Sequence, residues 1–146
     1  MSFAIRRVQG AAECDAALAL RHRVFCLEQG VPEAEESDGR DNEGLHLVAV
    51  EAHREEVIGT CRLLFISGTV QFSRLAVERA ARRRGVAGAL LAAAEEEARR
   101  RGGMRRMLLH AQTYAAGLYR GAGWEPRGSI FVEAGIEHVA MEKALA

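Results

Sequence analysis

The segment that most constrains the fold is the run 86–101, which reads Val-Ala-Gly-Ala-Leu-Leu-Ala-Ala-Ala-Glu-Glu-Glu-Ala-Arg-Arg-Arg. Alanine, leucine, glutamate and arginine are strong helix formers. Val86, Leu90, Leu91, Ala94 and Ala98 mark one apolar stripe along it. Glu95, Glu96 and Glu97 each stand four residues before Arg99, Arg100 and Arg101, the favourable order for helical ion pairs. Gly102-Gly103 stops the helix. The segment before it, 69–77, reads as a strand, and 107–111 is a short apolar strand after it. A strand, a helix and a second strand in that order predict a parallel β-α-β crossover.

The remaining segments build a sheet around that unit. Residues 4–8 read as a strand. Ala16, Ala17, Leu20, Val24 and Leu27 recur at helical spacing, which predicts a helix over about 11–29, closed by Gly30 and Pro32. The acidic stretch 33–44 has little apolar content and reads as a loop or short irregular helix. Strands at 46–52, 57–66 and 69–77, joined by His53-Arg54-Glu55-Glu56 and Ser67-Gly68, form an antiparallel meander. Tyr114, Ala115, Leu118, Tyr119 and Ala122 mark a further helical stripe ending at Gly123. Segments 128–132 and 137–143 read as a terminal hairpin around Ala134-Gly135. The order β α β β β α β α β β predicts one α/β domain over 1–146 on a mixed, mostly antiparallel sheet.

Composition narrows the function classes. The formal net charge is zero, so no long-range field draws the whole chain onto nucleic acid or an anionic membrane. Cys14, Cys26 and Cys61 are odd in number and form no Cys-x-x-Cys pair, which argues against a disulfide framework or structural zinc and fits a reducing cytosol. No His-x-x-x-His appears, so no metal site is expected. No apolar run approaches the ~20 residues of a membrane span, and residues 1–7 lack the pattern of a signal peptide. A cytoplasmic location is the expectation.

The most informative stretch joins the strand to the helix: Leu75-Ala76-Val77-Glu78-Arg79-Ala80-Ala81-Arg82-Arg83-Arg84-Gly85-Val86-Ala87-Gly88. A helix start leaves backbone N–H groups without partners and carries about half a positive charge. That makes it an anion site suited to phosphate. Gly85 and Gly88 let the backbone approach closely, and Arg82, Arg83 and Arg84 add charge beside it. A solvated arginine run before an ordinary helix is the alternative. The stretch is neither a dinucleotide fingerprint nor a P-loop, because Gly-x-Gly-x-x-Gly and Gly-Lys-Ser/Thr are both missing.

Arg82, Gly85 and Ala87 resemble the Gln/Arg-x-x-Gly-x-Gly/Ala pyrophosphate motif of the GNAT N-acetyltransferase superfamily. The run 115–124, Ala-Ala-Gly-Leu-Tyr-Arg-Gly-Ala-Gly-Trp, is similar to that family's Ala-x-x-Phe-Tyr-x-x-x-Gly-Phe, with Leu118 and Trp124 replacing the usual aromatics. The order of elements matches over nearly the whole chain. Arg23-Val24-Phe25-Cys26-Leu27-Glu28-Gln29 and the run 131–138, Phe-Val-Glu-Ala-Gly-Ile-Glu-His, resemble the bacterial ElaA/YjcF-like branch. The N-terminal part also resembles acyl-homoserine-lactone synthases, although the short chain and the coenzyme A turn count against lactone synthesis. The resemblance implies a GNAT-like domain with a β-α-β acetyl-CoA-binding core and helices on both faces of the sheet.

It further implies transfer of an acetyl group from acetyl-CoA to an amine of a small molecule or peptide. Pantetheine would lie along Leu75-Ala76-Val77, with the pyrophosphate on Arg82, Arg83, Arg84, Gly85, Val86, Ala87 and Gly88. Gln112 stands where some relatives carry a cofactor-contacting asparagine. An oxyanion donor would come from the backbone near 75–77. Tyr119 occupies the position of the family's tyrosine, facing the sulfur. A phenol's pKa of ~10 exceeds a thiol's ~8.5, so full proton transfer is uphill by roughly 2 kcal/mol and hydrogen-bond donation is the better description.

Attack needs a neutral amine, yet a lysine-type amine has a pKa of ~10.4, so a base must act. Glu28 at the end of the first helix, and Glu133 with His138 flanking the terminal hairpin, are the candidates. A solvated helix-end charge, and two residues satisfying each other, are the alternatives. His110 alternates with apolar residues and is placed to line the cleft. Glu33, Glu35, Glu36, Asp38, Asp41 and Glu43 of the acidic loop would attract a cationic amine, with an ordinary solvated loop as the alternative. Nucleic acid and membranes are not expected partners, a homodimer is left open, and a non-catalytic acyl-CoA-binding module is the alternative function.

Overall fold

The computed structural model describes residues 2–145. Seven strands, Phe3–Arg7 (β1), Leu45–Glu51 (β2), Val57–Ile66 (β3), Thr69–Val77 (β4), Arg106–Gln112 (β5), Glu125–Glu133 (β6) and Ile136–Ala144 (β7), form one sheet. Their order is β1-β2-β3-β4-β5-β7-β6. Every pairing is antiparallel except β4 with β5, the parallel pair that the crossover requires. The helices are Gly10–Arg21 (α1), Glu33–Glu36 (α2), Val86–Arg101 (α3) and Ala116–Gly121 (α4).

Strand periodicity sorts side chains between α1 and α3. On β2, Val48 and Val50 pack with Ala17 of α1. Leu47 and Ala49 join Leu90, Leu91 and Ala94 of α3 in the main core. Gly59 lets α3 approach β3 closely, because a Cβ there would stand 2.7 Å from Val86 Cγ1 and 3.0 Å from Leu90 Cδ1.

Two features of β4 shape the site. It pairs with β5 only over Thr69–Gln71 against Arg106–Leu108, and beyond that the two strands part. Between Thr60 and Arg62, β3 advances two residues while its partners on β4 run from Ala76 to Ser73. The extra residue is a bulge, and Arg74 lies in it with φ of 58°. Bulges of this kind re-aim a strand beside functional sites.

Four expectations change in detail. The helix expected over 11–29 is α1 followed by a π-helical stretch, His22–Glu28, in which Gln29 N–H donates to the Val24 carbonyl. Seven residues of apolar spacing do not separate the two helix types, and π turns favour functional sites. Glu97 pairs with Arg7 at 2.6 Å, while Arg101 lies over the Phe65 ring at 4.0 Å. Glu95–Arg99 and Glu96–Arg100 form at 2.9 and 2.8 Å as expected. The helix expected from Tyr114 begins as a 3-10 turn, Thr113–Ala115, and β6 starts at Glu125 rather than 128.

Candidate active site

Parting of β4 from β5 opens a cavity of about 1200 Å³ through the middle of the molecule. One end is walled by the β4–α3 turn, and the other by the π-helical stretch, α2 and the β6–β7 hairpin.

The turn end is built largely from backbone. Gly85 caps α3 with φ of 82°, a left-handed conformation suited to glycine, and no side chain caps the helix. The first N–H groups of a 16-residue helix therefore remain available. Open space surrounds the Cβ positions of both Gly85 and Gly88. Leu75, Val77, Arg82, Arg83, Gly85, Val86, Ala87 and Gly88 all line the cavity. Ala76 does not, since it points to the other face and packs with Leu20 and Val24 beneath α1. Arg84 also lies outside the wall.

Tyr119 lines the same cavity and is 7% exposed. Phe72 and Trp124 hold its ring edge-on at centroid distances of 6.4 and 6.1 Å. Burial, with smaller contributions from Cys61 and Tyr114, pushes the phenol's pKa well up. The hydroxyl therefore keeps its proton.

Glu28 and Gln29, at the end of the π-helical stretch, also line the cavity. Glu28 forms an ion pair with Arg82 at 2.9 Å, and Arg82 also donates to the Val77 carbonyl at 3.1 Å. Glu28, a candidate base, is thus held by an arginine of the turn. Gln29 and Gln112 exchange two amide hydrogen bonds, of 3.2 and 2.9 Å. They tie the π-helical stretch to the end of β5.

The acidic loop departs furthest from expectation. Arg21, 1% exposed, holds Glu36 through two bonds of 2.8 Å and Asp41 at 2.7 Å. Arg62, 2% exposed, holds Asp38 at 2.7 and 2.8 Å and Asp41 at 3.0 Å. Arg74, from the bulge, donates to the Glu36 carbonyl at 3.0 Å and to Asp38 at 3.3 Å. Three arginines thus balance three of the loop's six carboxylates, Glu36, Asp38 and Asp41. Arg62 holds the Asp38 carboxyl well below the usual carboxylate range. Sequence reasoning missed both; the signal that could have found them is that Arg21 interrupts an otherwise apolar helix stripe and Arg62 an apolar strand.

On the hairpin side, His138, Glu133 and His110 converge at the cavity wall. Glu133 Oε1 stands 3.1 Å from His110 Nδ1, and its Oε2 is 3.8 Å from His138 Nε2. His138 Nδ1 donates to the Ile136 carbonyl at 2.7 Å. Phe131 stacks on the His138 ring at 5.8 Å.

Residues 9–145 match the acetyltransferase (GNAT) domain family. The chain is 34% identical to the uncharacterized N-acetyltransferase YjcF of Bacillus subtilis, over 87% of this chain and 89% of that one. It is 32% identical to YyaT of the same organism, over 97% and 96%. Among solved structures, an acyl-CoA N-acyltransferase from Pseudomonas aeruginosa superposes with a TM-score of 0.84 at 27% identity, over 98% and 99% of the two chains. Escherichia coli ElaA shares the fold, with a TM-score of 0.86 at 22% identity over 97% and 99%. The match, which runs from residue 9 to residue 145, shows that the chain belongs to the GNAT acetyltransferase family.

Proposed function

We propose that this protein is a cytoplasmic N-acetyltransferase of the ElaA/YjcF-like branch, moving an acetyl group from acetyl-CoA to an amine of a small molecule or peptide by direct attack. The observation that carries the reading is the uncapped start of α3, opened by a left-handed Gly85, beside the cleft between β4 and β5. The residues fit the donor. Open space at Gly85 and Gly88 admits phosphate oxygens to the helix N–H groups, and Arg82 and Arg83 stand beside them. Beyond Gln71, the β5-facing edge of β4 is free to pair with an extended pantetheine arm and to donate to a carbonyl oxygen. Three free thiols match a reducing compartment.

Acetyl-CoA, when bound, supplies an acyl group activated as a thioester. The chain's own work is to place that group, to donate to its oxygen, to take a proton from the amine and to donate to the departing sulfur. Tyr119, buried and protonated, fits the last task.

The test is thiol release from acetyl-CoA in the presence of a panel of primary amines. Turnover with at least one amine is expected. Tyr119→Phe is expected to lower it by roughly 10²-fold while calorimetric affinity for acetyl-CoA is kept. Binding without turnover for any amine would return the non-catalytic acyl-CoA-binding module.

A further inference from the structure

Among the carboxylates lining the cavity, Glu28, Glu36 and Asp38 are engaged by arginines, while Glu35 has no ion-pair partner and no histidine beside it among the described residues. Glu133 is different. Among the described residues it has no arginine or lysine partner, and its two oxygens face two histidines. The histidines play unequal roles. The Ile136 carbonyl can only accept, so His138 Nδ1 carries the hydrogen and Nε2 of the neutral ring keeps a lone pair. That Nε2 stands 3.8 Å from Glu133 Oε2, too far for a direct hydrogen bond. A nitrogen about 2.9 Å from each atom spans such a gap.

We propose that Glu133 and His138 form the clamp that receives the acceptor amine, with His110 as a positioning residue. This rests on the acetyltransferase reading and names its acceptor class as a cationic primary amine. The ammonium donates one N–H to Glu133 Oε2 and one to His138 Nε2. Nε2 takes a proton, and the electron pair left on nitrogen forms the C–N bond as the C–S bond breaks. A second proton lost from nitrogen replaces the acyl group on sulfur. The imidazolium is balanced by Glu133 and returns its proton to solvent, to which Glu133 is half exposed. His110 holds Oε1, so Oε2 stays turned toward His138. Phe131 fixes the plane of the His138 ring. The groups that bear on His138 are Glu133 on β6, and His110 and Gln112 on β5; Glu28, Arg74 and Arg82 line the same cavity.

The first test needs no acceptor: side-chain nitrogen NMR of the histidines through a pH titration. The neutral His138 ring is expected as the Nδ1–H tautomer, fixed by the Ile136 carbonyl. An Nε2–H tautomer overturns the clamp. The second test uses acetyl-CoA with the amine panel. His138→Asn keeps a donor for the Ile136 carbonyl but loses Nε2. It is expected to lower kcat by roughly 10²-fold or more at neutral pH, with recovery as rising pH supplies the free amine. Glu133→Gln raises KM for the amine, and His110→Asn has the smallest effect. Acetyl-CoA affinity is unchanged in all three variants. Undiminished turnover in His138→Asn overturns the clamp alone. A wild-type protein that binds no acetyl-CoA overturns the acetyltransferase reading, and with it the reaction that the clamp serves.

Discussion

The two ends of the cavity are made differently. The proposed cofactor end is one continuous segment, β4 to α3, which offers backbone N–H groups and two glycines. The acceptor end is assembled from side chains of the π-helical stretch, α2, the β4 bulge, β5 and the β6–β7 hairpin. A backbone site depends on local conformation, which a few residues set. A side-chain site depends on ion pairs between residues far apart in sequence, such as Arg62 with Asp38. Damage to the two ends should therefore separate: stability and acceptor use on one side, cofactor affinity on the other.

The largest effect expected is at Arg21, whose removal leaves Glu36 and Asp41 facing each other without their shared cation. Breaking a buried pair of this kind costs about 3–5 kcal/mol, and thermal unfolding of Arg21→Ala should show it as a marked fall in Tm. Next is Gly59→Ala, which forces a methyl group against Val86 and Leu90. Overpacking costs about 1–3 kcal/mol. Because Val86 opens α3, this core change should also weaken acetyl-CoA binding, which Arg21→Ala should not do directly; calorimetry on the folded fraction of each variant compares them.

A smaller effect is expected in the acid limb of stability. The Asp38 carboxyl is depressed in the folded protein by Arg62. Its contribution is fully present above the unfolded aspartate pKa of ~3.9 and is lost as pH falls through the folded value. Denaturant melts from pH 6 downward should show a shallower loss in Asp38→Asn than in wild type. The smallest effect is at Glu28. Glu28→Gln frees Arg82 from a partly exposed ion pair of about 0.2–1 kcal/mol. Acetyl-CoA should then bind up to a few-fold more tightly, and unchanged or weaker binding would show that Arg82 does not serve the phosphates.

Legibility in the sequence follows the same division. The strands at 57–66 and 69–77 and the helix at 86–101 are found at the expected residues, because β-branched runs and helix formers there agree with their tertiary setting. Gly85, Arg82 and Tyr119 stood out through spacing within short segments. The acidic loop did not disclose its pairing, since nothing local to residues 33–44 shows that Arg21, Arg62 and Arg74 converge on it. The π-helical stretch keeps the apolar pattern of a helix. The Ala76 side chain packs with Leu20 and Val24, which the strand's alternation explains and which leaves its backbone on the β4 edge.

The central claim is that the start of α3 holds the pyrophosphate of acetyl-CoA. Titrating acetyl-CoA calorimetrically into wild type, Gly85→Ala and Gly85→Glu tests it most directly, with a thermal melt to confirm that each is folded. Alanine has room there and meets only the left-handed backbone penalty. Glutamate adds an anion, and a like charge about 4 Å away costs about 4 kcal/mol at an effective dielectric of ~20. The account predicts micromolar binding to wild type, a modest loss with alanine, and a loss of roughly 100-fold or more with glutamate. Absence of binding to folded wild type, or equal binding to Gly85→Glu, would contradict it.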